Sequence, residues 1–261
     1  MKFRLLGQLQ VYGDGRILTP QAHKLRVLLA ALLVHHNKVL PVDSLIDELW
    51  PQGPPRTALQ ALRVYISQLR KTLHGGSTRH RVSLVSEAPG YYLLVDRESI
   101  DVVQFDRHWA LARAAHELDD PEVALQHYRA ATGLWNSAPL VDLREGLLLQ
   151  SAASRLEESW LAVQESRISL ELRLGRIRGE LIAELRELVT RYPFNERLQA
   201  MLMIALFLSG RSGDALQVYR GTRKCLIEEL GIEPGDDLRL VHQLVLDSDR
   251  TALEGIGLWT A

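Results

Sequence analysis

The sequence predicts a mainly helical chain in two parts: a small α+β head over residues 1–97 and an all-helical body over 98–252, followed by a tail at 253–261. Three observations predict it. Hydrophobic periodicity changes near residue 100, from short alternating runs mixed with helices to helical spacing alone. Charge divides at the same place: up to Val95 there are 12 Lys and Arg against 5 Asp and Glu, a net of +7, and beyond it 19 against 27, a net of −8. A six-residue pattern recurs within the helical part. The whole-chain charge of −1 thus averages a basic head against an acidic body, and leaves a polyanionic partner open for the head.

In the head, residues 2–18 read as short strands. Phe3 and Leu5 share one face, Leu9 and Val11 follow Gly7, and Gly13-Asp14-Gly15 turns the chain before Ile17 and Leu18. Leu25, Leu28, Leu29, Leu32 and Leu33 have helical spacing. Asp43 is placed to cap a short helix holding Leu45, Ile46 and Leu49, which Pro51-Gln52-Gly53-Pro54-Pro55 ends. A third helix runs over 57–74 and closes at Gly75-Gly76. Residues 82–85 and 91–95 then form a hairpin about Ala88-Pro89-Gly90, where proline presets the first turn angle and glycine permits a positive φ at the second.

In the body, Asp120 caps a helix that has Pro121 at its first position. Residues 142–174 form a long helical run, and Pro193, Gly210 and Gly231 punctuate three more helices. Ala124-Leu125-Gln126-His127-Tyr128-Arg129 recurs as Ala215-Leu216-Gln217-Val218-Tyr219-Arg220. A small and a large residue four apart is the packing of tetratricopeptide-like helix pairs, in an array made irregular by an offset of 91 residues. Trp50, Trp109, Trp135 and Trp160 sit in apolar stripes and are expected in cores.

Several classes of function are excluded. The single cysteine, Cys225, forms no intramolecular disulfide and suits a reducing compartment; with no second cysteine, the common structural zinc sites are ruled out. The adjacent His35 and His36 cannot share a helix face as metal ligands, so no metal is expected. No Gly-x-x-x-x-Gly-Lys-[Ser/Thr] motif and no convergent acid–base set occurs, so neither an enzyme nor a cofactor is expected. No apolar run reaches 18 residues and no apolar stretch follows Met1, so the expectation is a cytoplasmic, nucleoid-associated protein with no membrane partner.

The helix over 57–74 carries the functional signal. Leu62, Ile66, Leu69 and Leu73 form one apolar stripe, which turns Gln60, Arg63, Val64, Ser67, Gln68, Arg70 and Lys71 outward, with Arg56 and Thr57 at the helix start. That face mixes guanidinium, amide and hydroxyl groups with no acid. Arginine matches guanine edges, glutamine matches adenine, and both bind phosphate. A short helix before it and a hairpin after it make a winged helix-turn-helix, with 57–74 in the major groove of double-stranded DNA.

This order of elements, together with Leu45-Ile46-Asp47-Glu48-Leu49-Trp50, Val64-Tyr65-Ile66-Ser67-Gln68-Leu69-Arg70 and Pro89-Gly90-Tyr91, resembles the OmpR/PhoB-type DNA-binding domain, in the form found in Streptomyces antibiotic regulatory proteins. The body continues the resemblance. Glu180-Leu181-Ile182-Ala183-Glu184-Leu185 through Tyr192-Pro193, Ser209-Gly210-Arg211 to Tyr219-Arg220, and Glu228-Glu229-Leu230-Gly231-Ile232-Glu233-Pro234-Gly235 look like that family's bacterial transcriptional activation domain. The resemblance spans residues 3–250.

The resemblance implies an activator of a secondary-metabolite (antibiotic) gene cluster. It implies a homodimer bound head-to-tail on direct repeats near the −35 element, recruiting RNA polymerase holoenzyme through its sigma factor and alpha C-terminal domain. Phosphate and wing contacts then fall to His23, Lys24, Arg26, Arg79, Arg81, Tyr91 and Tyr92, and polymerase contact to the loop bearing Trp50, Pro51, Gln52, Pro54 and Pro55. The family pattern has basic residues two before the Pro-Gly and directly after the Tyr, where this chain has Glu87 and Tyr92. A carboxylate is repelled by a phosphate backbone, and Arg79, His80 and Arg81 stand nearby to supply backbone contacts instead. Gln68 stands where the family often has arginine, which alters base preference. The alternative is a tetratricopeptide-like interaction scaffold with a vestigial DNA-binding head, motivated by Glu87.

Overall fold

The computed structural model describes residues 1–74 and 82–254. Three strands open the chain, β1 (Lys2–Arg4), β2 (Gln10–Gly13) and β3 (Arg16–Ile17). Then come α1 (His23–Val34), β4 (Leu40–Pro41), α2 (Val42–Leu49), α3 (Ala58–His74) and a hairpin of β5 (Ser83–Glu87) and β6 (Gly90–Leu94). A 3-10 turn at Arg97–Ser99 leads into α4 (Asp101–Glu117), α5 (Pro121–Thr132) and α6 (Leu147–Arg173). The helices α7 (Gly179–Arg191), α8 (Glu196–Leu208), α9 (Ser212–Leu230), α10 (Asp236–Leu246) and α11 (Arg250–Glu254) complete the described chain. The fold is a winged helix-turn-helix head followed by helices, as the sequence predicts.

By compactness the chain falls into two units. The first joins Met1–Leu118 to Arg129–Leu161, and the second joins Asp119–Tyr128 to the chain from Ala162 onward. The first unit therefore takes in α4 and the opening part of α6 as well as the head.

The first unit holds two antiparallel sheets, ordered β1-β2-β3 and β4-β6-β5. Phe3 pairs with Val11 and Tyr12 with Ile17, so the inward residues Phe3 and Val11 are buried while Ile17 is exposed. The helix α1 is apolar on most sides and is buried from Val27 to Leu33. Leu45 and Leu49 of α2 and Leu62, Ile66, Leu69 and Leu73 of α3 close over the same core. Leu140, Leu143 and Leu149, from beyond the head, also belong to it.

Two buried carboxylates tie that later chain to the head. Glu48, near the end of α2, accepts from Leu148 N at 2.7 Å and Leu149 N at 3.2 Å, which satisfies orphan amides in the first turn of α6. Asp101, at the start of α4, accepts from Leu5 N at 2.9 Å, Leu6 N at 3.0 Å and Val102 N at 2.8 Å. Burial pushes the Asp101 carboxyl up to about 6, against the opposing pull of those three amides and of Arg4. Burial raises Glu48 too, opposed by its two backbone bonds.

Local expectations fared unevenly. Asp43 does not cap α2: it lies in the first turn, and Pro41 of β4 is the N-cap, because the strand runs straight into the helix. The helical run expected from 142 begins at Leu147, and residues 133–146 fold as turns. There Leu140, at φ 51° and fully buried, donates its amide to Gly7 O at 2.7 Å. The wing turn also differs. The Ala88–Pro89 bond is cis, and Gly90 has no positive φ. A side chain is excluded at Gly90 for another reason: an added Cβ would lie 1.8 Å from Leu40 O on the neighbouring strand. The glycine closure expected at Gly75-Gly76 lies outside the described residues.

Asp120 does cap α5, accepting from Val123 N at 3.2 Å. Phe105, Trp109, Trp135 and Trp160 form an aromatic chain within the first unit, with centroids 6.2, 5.7 and 5.9 Å apart in turn. Only Phe105 is fully buried; the three tryptophans are half-buried.

In the second unit α8 is the central helix, buried from Leu198 to Leu206 and packed by α7, α9 and α10. Asn195 caps it, accepting from Leu198 N at 3.1 Å. Gly231 ends α9 in the left-handed region at φ 69°, where a Cβ is disfavoured. The recurring small residues, Ala124 and Ala215, are both fully buried. Their partners differ: Tyr128 is buried, whereas Tyr219 stacks on His242 with centroids 3.7 Å apart.

Candidate nucleic-acid interface

The helix α3 is two-faced by construction. Leu62 and Leu69 are fully buried and Ile66 and Leu73 nearly so, which fixes the rotation of the helix. Gln60, Arg63, Val64, Ser67, Gln68 and Lys71 are consequently exposed, as are Arg56 and Thr57 just ahead of the helix. No acidic residue lies in its first turn. At 17 residues, α3 is about 25 Å long, enough to lie across a major groove. Leu59 shares the exposed side at 42% exposure, beside Val64 at 52%. Only the phase of the stripe, four positions from Arg63, marks Leu59 as outward.

Trp50 stacks on Tyr65 of α3, with centroids 6.2 Å apart and planes at 26°, and this holds the end of α2 against the helix. From there Pro51, Gln52, Gly53, Pro54, Pro55 and Arg56 are all exposed. Ala58 N donates to Pro55 O at 2.9 Å, so the loop leads directly into α3. A groove of about 410 Å³ beside the loop is lined by Ser44, Asp47, Trp50, Pro51, Pro54 and Leu147, among others. Leu147, the first residue of α6, is 82% exposed there and was absent from the sequence-based site.

The basic residues divide sharply. Arg56, Arg63 and Lys71 are exposed, and none is paired with a carboxylate among the described residues. The cluster at the start of α1 is different. His23 Nε2 donates to Asp142 O at 3.2 Å and lies 3.7 Å from Glu145. Lys24 Nζ donates to Leu49 O at the end of α2. Arg26 Nη2 meets the Asp142 carboxylate at 2.5 Å, with both side chains nearly three-quarters buried. These three residues, expected on phosphate, hold α1 to α2 and to the 133–146 segment. For His23 and Arg26 the cause is Asp142, which arrives from at least 116 residues away, and for Lys24 it is the carbonyl that ends α2.

Arg70 departs from expectation in the same manner. It is half-buried, and its guanidinium donates to Leu84 O and Ser86 Oγ of β5, both at 2.8 Å. Tyr91 and Tyr92 are half-buried on β6, and Glu87 is exposed at the end of β5. The wing turn is held from behind, since Val42 N donates to Pro89 O at 3.2 Å and Pro41 pairs with Gly90. Arg79 and Arg81 lie outside the described residues.

Among the described residues no group of three His, Cys, Asp or Glu side chains is placed to hold a metal ion. His36 Nδ1 lies 3.0 Å from Leu33 O, and burial holds the His35 imidazole below its ordinary value, with Lys38, Arg155 and His36 adding to the effect. Cys225 is a half-buried free thiol. No described helix is long and apolar enough to cross a membrane.

Known proteins match this arrangement along its length. The family "Transcriptional regulatory protein, C terminal" matches residues 17–93, and the family "Bacterial transcriptional activator domain" matches residues 100–246. Regulatory protein DnrI of Streptomyces peucetius is 37% identical over 256 residues, which cover 95% of this chain and 93% of DnrI. Transcriptional regulator RedD of Streptomyces coelicolor is 35% identical over 243 residues, covering 92% of this chain and 68% of RedD. Regulatory protein AfsR of Streptomyces griseus is 34% identical over 249 residues, but these make up only 25% of AfsR. Among solved structures, Mycobacterium tuberculosis EmbR in complex with a low affinity phosphopeptide superposes with a TM-score of 0.86 at 33% identity, covering 97% of this chain and 69% of that one.

Proposed function

Since this chain belongs to the Streptomyces antibiotic regulatory protein family of transcriptional regulators, with an OmpR/PhoB-type head and a bacterial transcriptional activator domain, we propose that it activates an antibiotic or other secondary-metabolite gene cluster by binding direct repeats near the promoter. In this reading α3 enters the major groove. Arg63, Gln60, Ser67 and Gln68 face base edges, Val64 faces a thymine methyl, and Arg56, Thr57 and Lys71 face phosphates. Two copies bind head-to-tail. The loop with Trp50, Pro51, Gln52, Pro54 and Pro55 faces the sigma factor, and the helical region at 98–252 meets the neighbouring protomer or the alpha C-terminal domain.

One observation supports the reading above the others. Among the described residues the exposed face of α3 is acid-free, and Arg63 and Lys71 on it are paired with no carboxylate. An interaction scaffold has no need of such a face. The deciding experiment is a footprint on the intergenic DNA beside the protein's own gene, with and without RNA polymerase holoenzyme. The expected result is a pair of protected direct repeats, with protection extended by holoenzyme and affinity falling steeply with salt through counterion release. An absence of protected bases would return the chain to the scaffold reading.

A further inference from the structure

The strand β5 is the edge of its sheet. One side bonds to β6, and the other presents backbone groups that no strand among the described residues pairs. Arg70 fills that side. Its Nε donates to Leu84 O and its Nη2 to Ser86 Oγ, so one planar fork reaches two positions two residues apart on the same strand. Its neighbours behave otherwise: Lys71 and Arg63 on the same helix are exposed and carry no such bonds among the described residues. An arginine fork is rigid and directional, where a lysine is a mobile point charge.

We propose that Arg70 is a positioning residue of the DNA interface, which fixes the β5–β6 wing against the recognition helix and does not itself grip DNA. The inference rests on the DNA-binding reading of α3. Through Arg70 the helix and the wing engage the duplex as one body, and the spacing between major-groove and flanking contacts is set inside the protein. Ser86 is the acceptor that completes the fork. The exposed Glu87 next to it then matters less than its charge suggests, because the wing is held by the helix behind it.

The test uses the full chain on the intergenic DNA named above, with footprinting and salt titration of each variant. Arg70→Lys keeps the charge and loses the fork. It is expected to lose the flanking protection contributed by the wing and to bind roughly 10-fold more weakly, with the salt slope unchanged. Ser86→Ala, at an exposed position, is expected to move the same way by roughly three-fold, and the double variant to bind no worse than Arg70→Lys alone. Lys71→Ala is expected to keep the wing protection and to lower the salt slope by about one. A wild-type footprint and affinity for Arg70→Lys would assign Arg70 to a phosphate and overturn the proposal, as would full additivity with Ser86→Ala. If Arg70→Lys fails to fold, Ser86→Ala decides alone, and an unaltered wing footprint in it overturns the proposal. A wild-type protein with no footprint removes the activator reading, and this inference falls with it.

Discussion

Arg63 and Lys71 on α3 stand exposed with no carboxylate beside them, whereas His23, Lys24 and Arg26 at the start of α1 are each bound within the protein. Both stretches lie in the basic head, and in the sequence both look ready for phosphate. The 133–146 segment makes the difference. It brings Asp142 and Glu145 to α1 and brings nothing acidic to α3. Helix polarity adds to this. Cations are disfavoured at a helix N-terminus by the macrodipole, so the start of α1 gains from a nearby anion. The excess of base over acid in the head therefore overstates the positive charge left free for a polyanion, because the fold supplies a counter-charge to part of it.

Four measurements break or sharpen that contrast, ordered by expected effect on DNA affinity. Arg63→Ala is expected to weaken operator binding by roughly 10- to 100-fold, with the melting temperature unchanged, since its side chain packs outward. An unchanged affinity would remove α3 as the reading element. Next, Lys71→Ala and Lys24→Ala compared by gel shift between about 50 and 200 mM salt should differ in kind. The first loses about one unit of salt slope and the second loses none; equal losses would erase the contrast between the two stretches.

Arg26→Ala is expected to leave DNA affinity of the folded protein intact while lowering stability by about 2 kcal/mol in urea unfolding, because Asp142 is left largely buried without its partner. Stability unchanged but affinity reduced would put Arg26 back on the phosphate backbone. The last measurement concerns a carboxylate with no expected role at DNA. Asp101 holds its proton up to about pH 6 in the folded state, against an ordinary value of 3.8. Across that window the folded protein binds more proton than the unfolded chain, so the Asp101 contribution to stability is full below about pH 4 and lost as pH rises through 6. Urea unfolding of the wild type and Asp101→Asn from pH 4 to 7 should show the variant flatter over this range, with DNA binding at pH 7.5 unaltered. Parallel curves would mean that Asp101 does not titrate there.

What the sequence made legible was periodic or local. The apolar stripe of α3 is buried where the spacing places it, and Asp120 caps α5 as its neighbour Pro121 announces. What it hid was decided by distant partners. Glu48 and Asp101 find amides about 100 residues away, and Arg26 finds its acid 116 residues away. Gly90 looked like a turn glycine, yet its reason is a neighbouring strand that no local pattern announces. Leu59 and Leu147 carry no sign of their exposure in residue type, because exposure depends on the phase of a helix or the start of one. In the site itself, the outer face of α3 was readable because four leucine-type positions fix its rotation. The engagement of Arg70 was not, because its partners on β5 lie 14 and 16 residues further along the chain.

The reach of Glu48 into the first turn of α6 also sets where the protein can be cut. A fragment ended at residue 97 keeps α3 whole, but it strands the Glu48 carboxylate in an apolar core and removes the acceptor from Leu5 and Leu6. It also takes Leu140, Leu143 and Leu149 out of the shared core. A continuous piece that keeps all of these partners must reach at least residue 149, and one run to residue 161 also takes in the far edge of the first compact unit. The stretch proposed to meet DNA and the stretch whose buried groups are all partnered are therefore different lengths of chain.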